Sequence, residues 1–461
     1  MMEHSRPRSL PAPTRRRHLL ALAGGLLALW MSAPQPAHAL PSYARQTGEE
    51  CAACHVAGFG PQLTPFGIEF KLNGYTETNG KDGHVPLSAM LVGSWTHTAK
   101  DLSEDAGPHD GTNDNLSLQE ASLFVAGALS EHVGSFVQTT YSDIDRKYAL
   151  DNLDVRYAQP FSLQGKEALF GVTVNNNPGV TDPFNTLGAW RFPYVSSELA
   201  PTPAASPLID GGLEHQVLGV SAYGLYDGSF YGELGGYRSL SASTLNSLGI
   251  DDEAGKLDNL APYWRLAYLK SRGSQAYSMG LFGMQADLLP DRVPGKSDGY
   301  TDVGVDGGLQ FLGSRKHIFT LNGSYVFEDQ SLDATYADGG AENRSNSLRR
   351  FDLAASYFYD QTYGFTASLF DIRGDRDHLL YAPEPDSGSR TGSPDSSGLT
   401  LQADWTPFGR EDSWGAPWAN LRLGLQYTMY DQFNGASNNY DGYGRNAGDN
   451  DTLFAFLWAA F

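Results

Sequence analysis

Three observations predict an all-β fold, an antiparallel transmembrane β-barrel of about sixteen strands behind a short N-terminal head. From Leu87 onward apolar and polar residues alternate with period two. The links between the alternating segments are short and long in turn. The chain ends on Leu453, Ala455, Leu457 and Ala459, an alternating strand closed by the aromatic Phe461, as barrels of this kind commonly end.

The elements follow in order. Arg15-Arg16-Arg17 precedes an apolar run from Leu19 to Trp30, and Ala37-His38-Ala39 fits a small-residue cleavage site, so residues 1–39 read as a secretory signal peptide cut after Ala39. The twin-arginine motif is incomplete, which favours the general secretory route. The address is the envelope of a bacterium, with the barrel in its outer membrane. The formal net charge is −21, and loss of Arg6, Arg8, Arg15, Arg16, Arg17 and Glu3 leaves the remainder more acidic still. That balance argues against nucleic acid and for cationic partners or simple solubility. Beyond the signal no apolar run approaches the ~20 residues of a membrane helix, which leaves strands as the only way across.

Residues 40–86 form the head, too short for a self-sufficient core without a cofactor. It holds Cys51-Ala52-Ala53-Cys54-His55, the only two cysteines in the chain with a histidine directly behind. This is the attachment signature of a c-type haem: two thiols bond the porphyrin edge and the histidine takes an axial position on iron. The competing readings are a redox dithiol, half of a zinc site or a disulfide. Zinc needs about four ligands and no second Cys/His cluster exists; a thioredoxin-type dithiol needs a βαβ setting that is missing. Pro65 can open a helix, Ile68, Phe70 and Leu72 give it apolar surface, and Gly74 stops it. Such a helix would cover one face of the haem. For the sixth ligand the candidates are His84 and Met90, with His97 behind. Met90 falls on the first strand, where a lipid-facing or packing role competes, and an open or water-bound position is the other possibility.

Residues 87–461 form the barrel. Segments start near Leu87, Ser117, His132, Leu150, Glu167, Glu214, Gly228, Pro262, Gln275, Asp302, Lys316, Leu348, Tyr363, Ser397, Ala419 and Asp451. The clearest puts Leu421, Leu423, Leu425, Tyr427 and Met429 on one face and Asn420, Arg422, Gly424, Gln426 and Thr428 on the other, the lipid/lumen alternation of a porin-like wall. Short links fall at Ser130-Glu131, Asp227-Gly228, Arg272-Gly273-Ser274, Gly313-Ser314 and Asp360-Gln361, with somewhat longer ones near 159–166 and 407–418. Between them lie mostly long polar links, and only the one near 144–149 breaks the rule. A soluble sandwich or propeller also alternates, yet explains neither the loop lengths nor the terminal phenylalanine. The head and both termini then belong on the periplasmic side. The long loop at 176–213 carries Phe184, Trp190, Phe192 and Tyr194, too many aromatics for a bare surface, and is expected to fold into the lumen.

Acidic residues gather in other long loops: Asp101, Glu104, Asp105, Asp110 and Asp114; Asp251, Asp252 and Glu253; Asp375, Asp377, Glu384 and Asp386. Such loops could focus a divalent metal, and carboxylates suit iron(II) or manganese(II). The plainer reading, loop solubility and calcium bridging of lipopolysaccharide, is the stronger for any single carboxylate, because no tight ligand spacing stands out.

A single attachment motif on a short head before a large barrel resembles the fused outer-membrane monohaem cytochrome c–porins of iron-oxidising bacteria. The resemblance is carried by Cys51, Cys54 and His55, then Leu63, Phe66, Gly67, Gly74 and Tyr75, with weaker support from Asn175–Tyr194. It implies that Cys51 and Cys54 hold one covalent haem c, that His55 is its proximal ligand, and that the haem accepts an electron from extracellular iron(II) and passes it to a periplasmic cytochrome c or other soluble carrier. If the protein is an enzyme, it is then an iron(II):cytochrome c oxidoreductase. Because one haem cannot chain across the envelope, that activity requires the haem inside the barrel. A solute porin with a haem-bearing plug or sensor head is the alternative. A sheath for a separate multi-haem cytochrome is a third reading, disfavoured because a sheath needs no haem of its own.

Overall fold

The computed structural model describes residues 41–461 apart from Asp82, His84, Glu253, Glu411, Asp412, Trp414, Ala416 and Pro417. The signal segment and His84 therefore lie outside the described residues. The strands are β1 (Leu87–Thr98), β2 (Asn115–Ala128), β3 (Val133–Ser142), β4 (Lys147–Leu163), β5 (Lys166–Asn175), β6 (Val217–Tyr226), β7 (Phe230–Ser239) and β8 (Lys256–Leu257). They continue as β9 (Ala261–Arg272), β10 (Gln275–Leu289), β11 (Asp298–Phe311), β12 (His317–Ser331), β13 (Ser345–Tyr359), β14 (Tyr363–Gly374), β15 (Ser396–Trp405), β16 (Asn420–Gln432) and β17 (Thr452–Ala460). β8 is a two-residue strip on β10; the other sixteen pair antiparallel in sequence order. β17 pairs with β16 on one side and β1 on the other, so the sheet closes and has no edge.

Every expected segment is a strand, and no start is displaced by more than four residues, the largest shift being Asp302 to Asp298. The period-two pattern sorts side chains as lipid requires. Leu91, Leu123, Phe170, Leu234, Leu266 and Leu425 point outward, whereas Ser94, Gln119, Thr173, Glu233, Arg265 and Gln426 are buried in the lumen. With every strand paired and an apolar exterior, the barrel meets the condition for spanning a bilayer. The short turns gather at one end, together with the start of β1 and the end of β17.

Residues 41–79 lie inside the barrel at that short-turn end. Their helices are Pro41–Thr47, Cys51–Cys54 and Pro65–Leu72. Thr64 caps the last, accepting from the Gly67 amide at 3.2 Å, with Pro65 at the first helical position. Gly74, at φ +73°, ends the segment as expected. Against the wall, Asn420 donates to the Gly58 carbonyl at 2.7 Å, Gln310 to that of Leu63 at 2.7 Å, and Tyr43 to that of Ser135 at 2.7 Å. The deepest tie is Tyr75, whose hydroxyl donates to Asp154 at 2.7 Å. Asp154 pairs with Arg156 at 2.8 Å, both fully buried on β4. The Arg156 guanidinium lies over the rings of Tyr75 and Tyr223.

The loop between β5 and β6 crosses the lumen, as its aromatics imply. Gln119 of β2 donates to the Ser196 carbonyl at 2.7 Å and Gln426 of β16 to that of Val195 at 3.0 Å. Near its return, Arg191 grips Asp210 through two 2.8 Å bonds, and Arg350 of β13 reaches the same carboxylate at 3.2 Å. Burial raises the Asp210 carboxyl, but the two guanidiniums outweigh it and hold it down at about 2. Because the unfolded value is about 3.9, this contact stabilises the docked loop above that pH and is lost as pH falls through about 2. Its contribution is on the order of 2 kcal/mol. Trp190 fluorescence should therefore report a docked loop down to about pH 3, and release already near pH 4 would contradict this account.

Candidate functional site

Two of the predicted attachment residues sit on one helical turn and the third follows it. The Cys51–Cys54 helix is only four residues long. His55 leaves it in extended conformation and pairs with Leu63 as an isolated bridge. Both cysteines are buried and no disulfide joins them. They share with His55 a cavity of about 330 Å³, which the head, the barrel wall and the inward loop line together. Cofactor pockets run from roughly 300 Å³ upward.

Glycines bring these pieces close. A Cβ on Gly67 would overlap the carbonyl oxygen of Cys54, so only glycine lets the Pro65–Leu72 helix lie on the cysteine turn. A Cβ on Gly60 would stand 3.3 Å from the His55 ring, against the imidazole face. Phe59 meets Trp458 of β17 edge-on at 5.1 Å, and Phe136 of β3 meets Trp190 of the inward loop at 5.7 Å. These rings help wall the cavity from water.

Met90 lies on the same cavity. The lipid-facing role is corrected: Ser88, Met90 and Val92 face inward while Leu87 and Leu91 face out. Met90 packs with Tyr43, Phe70 and Tyr75 of the head, and apolar lumen surface occurs there because the head covers it. His97 is at the far end of β1, stacked on Trp95 and 2.9 Å from Asp114, away from the cavity.

The chemistry of the donor set fits a c-type haem. The His55 Nδ1 atom is buried without a hydrogen-bond partner, a costly state unless something else engages the ring. Burial pushes this imidazole down to about 4, with the Gln62 and Pro61 backbone opposing, so it is held in the neutral form that ligates metals. Burial, with Cys51 beside it, pushes the Cys54 thiol up to about 12. That suppresses the thiolate a redox dithiol needs.

Asn185 and Trp190 of the inward loop line this cavity, and so do Lys71, Glu120 and Trp458, which sequence reasoning passed over. Only Lys71 carried a local signal. It stands four residues after Gly67, on the helix face turned to the cysteines.

The acidic loop residues do not converge. Asp114 pairs with His97, Asp251 with Lys147, Asp252 with Arg292, and Asp386 with Arg445. Asp377 accepts the backbone amides of Glu342, Asn343, Leu379 and Leu380. Glu253 lies outside the described residues, and among those described no group of three His, Cys, Asp or Glu could hold a metal ion.

No protein-family model matches the chain, and no curated protein does. Among solved structures it is similar to the anion-selective porin from Comamonas acidovorans, at 12% identity over 81% of this chain and 98% of that one, with a TM-score of 0.44. It is also similar to the outer membrane channel DcaP of Acinetobacter baumannii, at 13% identity over 84% and 99%, TM-score 0.44. OmpT, an outer membrane protein of Vibrio cholerae, aligns at 10% identity over 81% and 96%, TM-score 0.41. The assignment as a closed, porin-like sixteen-stranded barrel rests on the chain's own strand pairing.

Proposed function

We propose that this protein is an outer-membrane electron-transfer barrel that oxidises extracellular iron(II) and hands the electron, through one covalent haem c, to a soluble periplasmic carrier such as a cytochrome c. The observation that carries the reading is the placement of Cys51, Cys54 and His55 on the wall of a cavity inside a barrel, at its short-turn mouth. Cys51 and Cys54 would hold the ring edge, and His55 would ligate its iron. Bound there, a haem supplies a one-electron centre whose potential the surroundings tune. Phe59, Trp458, Phe136 and Trp190 would exclude water from it.

The two mouths suit different partners. Short turns mark the periplasmic face of such barrels, so the cavity lies within reach of a soluble carrier. A second cavity of about 1020 Å³ opens among the long loops, and the inward loop lines both. The acidic loops would draw cationic iron(II) toward that outer mouth. The head and the crossing loop both stand in the lumen between, a plug common to this reading and to the alternative of a solute porin with a haem-bearing plug.

The test is rapid mixing of oxidised, detergent-purified protein with iron(II). Reduction of the haem Soret band is expected. A band that stays oxidised with iron(II) at physiological pH, while other one-electron donors reduce it, would sink the reading. Free leakage of sugars from liposomes holding the protein would favour the porin instead.

A further inference from the structure

Lys71 is a buried cation whose donors are only partly used. Its ammonium donates to the carbonyls of Val180 at 2.6 Å and Asp182 at 2.9 Å, both on the inward loop, and lies 5.0 Å from the centre of the Trp190 ring. An ammonium has three donors, so one remains. Among the described residues no carboxylate stands in contact with it. The charged groups around it are Arg156 and Asp154 of β4, Glu233 of β7 and Asp182 of the loop. Burial, with Arg156 adding to it, pushes the amine down to about 7 although those carboxylates pull the other way. An ammonium so placed keeps one donor and part of its charge unmatched, and an anion in contact would engage both.

Its position says where that anion belongs. Gly67 abuts the Cys54 backbone, and Lys71 is one turn further on the same helix. Side chains four apart on a helix stand ~5–6 Å from each other. Lys71, Cys51, Cys54 and His55 all line the one cavity. A haem held by the two cysteines carries two propionate carboxylates on the ring side away from its vinyl edge.

We propose that Lys71 is the anchor for a haem propionate, binding it through its third donor while the inward loop holds the other two. This rests on the haem reading above and adds a positioning residue to it. Through this contact the crossing loop and the cofactor would be tied together, since one ammonium joins both.

The test uses full-length protein whose covalent haem has been quantified as its pyridine haemochrome. Lys71→Gln keeps amide donors for the loop carbonyls but removes the charge, and Lys71→Arg keeps the charge. A cation beside the propionate favours the reduced, less positive haem. Lys71→Gln should therefore lower the midpoint potential and give it a slope with pH where the released propionate titrates. Wild type and Lys71→Arg should stay at the higher potential and flat across that range. A wild-type potential and pH profile in Lys71→Gln would overturn the proposal and leave Lys71 as a stitch to the loop. Resonance Raman of the unsubstituted protein reads the same contact if the variants fail to assemble. A propionate bending band sensitive to deuterium exchange supports it, and an insensitive band refutes it. Absence of haemochrome from wild-type protein would overturn the haem reading itself, a separable result.

Discussion

Replacing both Cys51 and Cys54 by Ala is expected to leave a folded barrel without covalent haem. The sixteen strands pair with one another, and no strand hydrogen bond runs through Cys51. In denaturing gels the heat-modifiable migration typical of such barrels should persist, while haem-linked peroxidase staining disappears from the band. Either single replacement leaves one thioether and is expected to weaken the staining without abolishing it. His55→Ala separates attachment from ligation: the haem should remain bonded while its visible spectrum shifts with loss of the imidazole ligand. If the variant lacking both cysteines still carries haem through denaturation, the attachment assignment is wrong. If wild type carries none, the cavity serves another ligand.

Asp154→Ala should release the head from the barrel. Asp154 is fully buried, pairs with Arg156 and accepts the hydroxyls of Tyr75 at 2.7 Å and Thr173 at 2.7 Å. Removing one partner of a buried ion pair costs about 3–5 kcal/mol, because the remaining charge is left uncompensated. That is roughly two orders of magnitude or more in the ratio of docked to released head. Limited proteolysis should then cut within residues 41–79, and planar-bilayer recordings should show a higher conductance than wild type. Asp154→Asn, which keeps an acceptor for Tyr75 but not the charge, should fall between. Unchanged proteolysis and conductance in Asp154→Ala would mean that the remaining head contacts suffice, and the ranking of Tyr75–Asp154 as the main tie would fail.

The residues quoted for the family resemblance have local physical reasons in this fold. Leu63 closes the bridge to His55, Gly67 admits the cysteine turn, and Gly74 turns the chain so that Tyr75 reaches Asp154. None of these reasons was visible before the fold. Leu63 and Gly67 depend on a turn that brings His55 and Cys54 back to them, and Tyr75 on Asp154, 79 residues away. Lys71 was overlooked for the same reason, its loop partners being 109 and 111 residues away.

The sequence by itself determined the barrel: strand number, strand starts, the alternation of turns and loops, and the inward course of the aromatic loop. Those properties are written in nearest-neighbour patterns, because period-two alternation follows from strand geometry and long aromatic loops must bury themselves. Cys51, Cys54 and His55 stood out because their spacing matches a covalent attachment pattern rather than a packing one. Only the tertiary structure decided what shares the cavity with them. Met90 looked outward or indifferent by composition, since an apolar residue on a strand of this kind is expected to meet lipid. It faces inward because the head brings Tyr43, Phe70 and Tyr75 against it and makes that part of the lumen apolar. Burial of a strand residue is set by whatever covers it, and that covering comes from a part of the chain the local pattern cannot see.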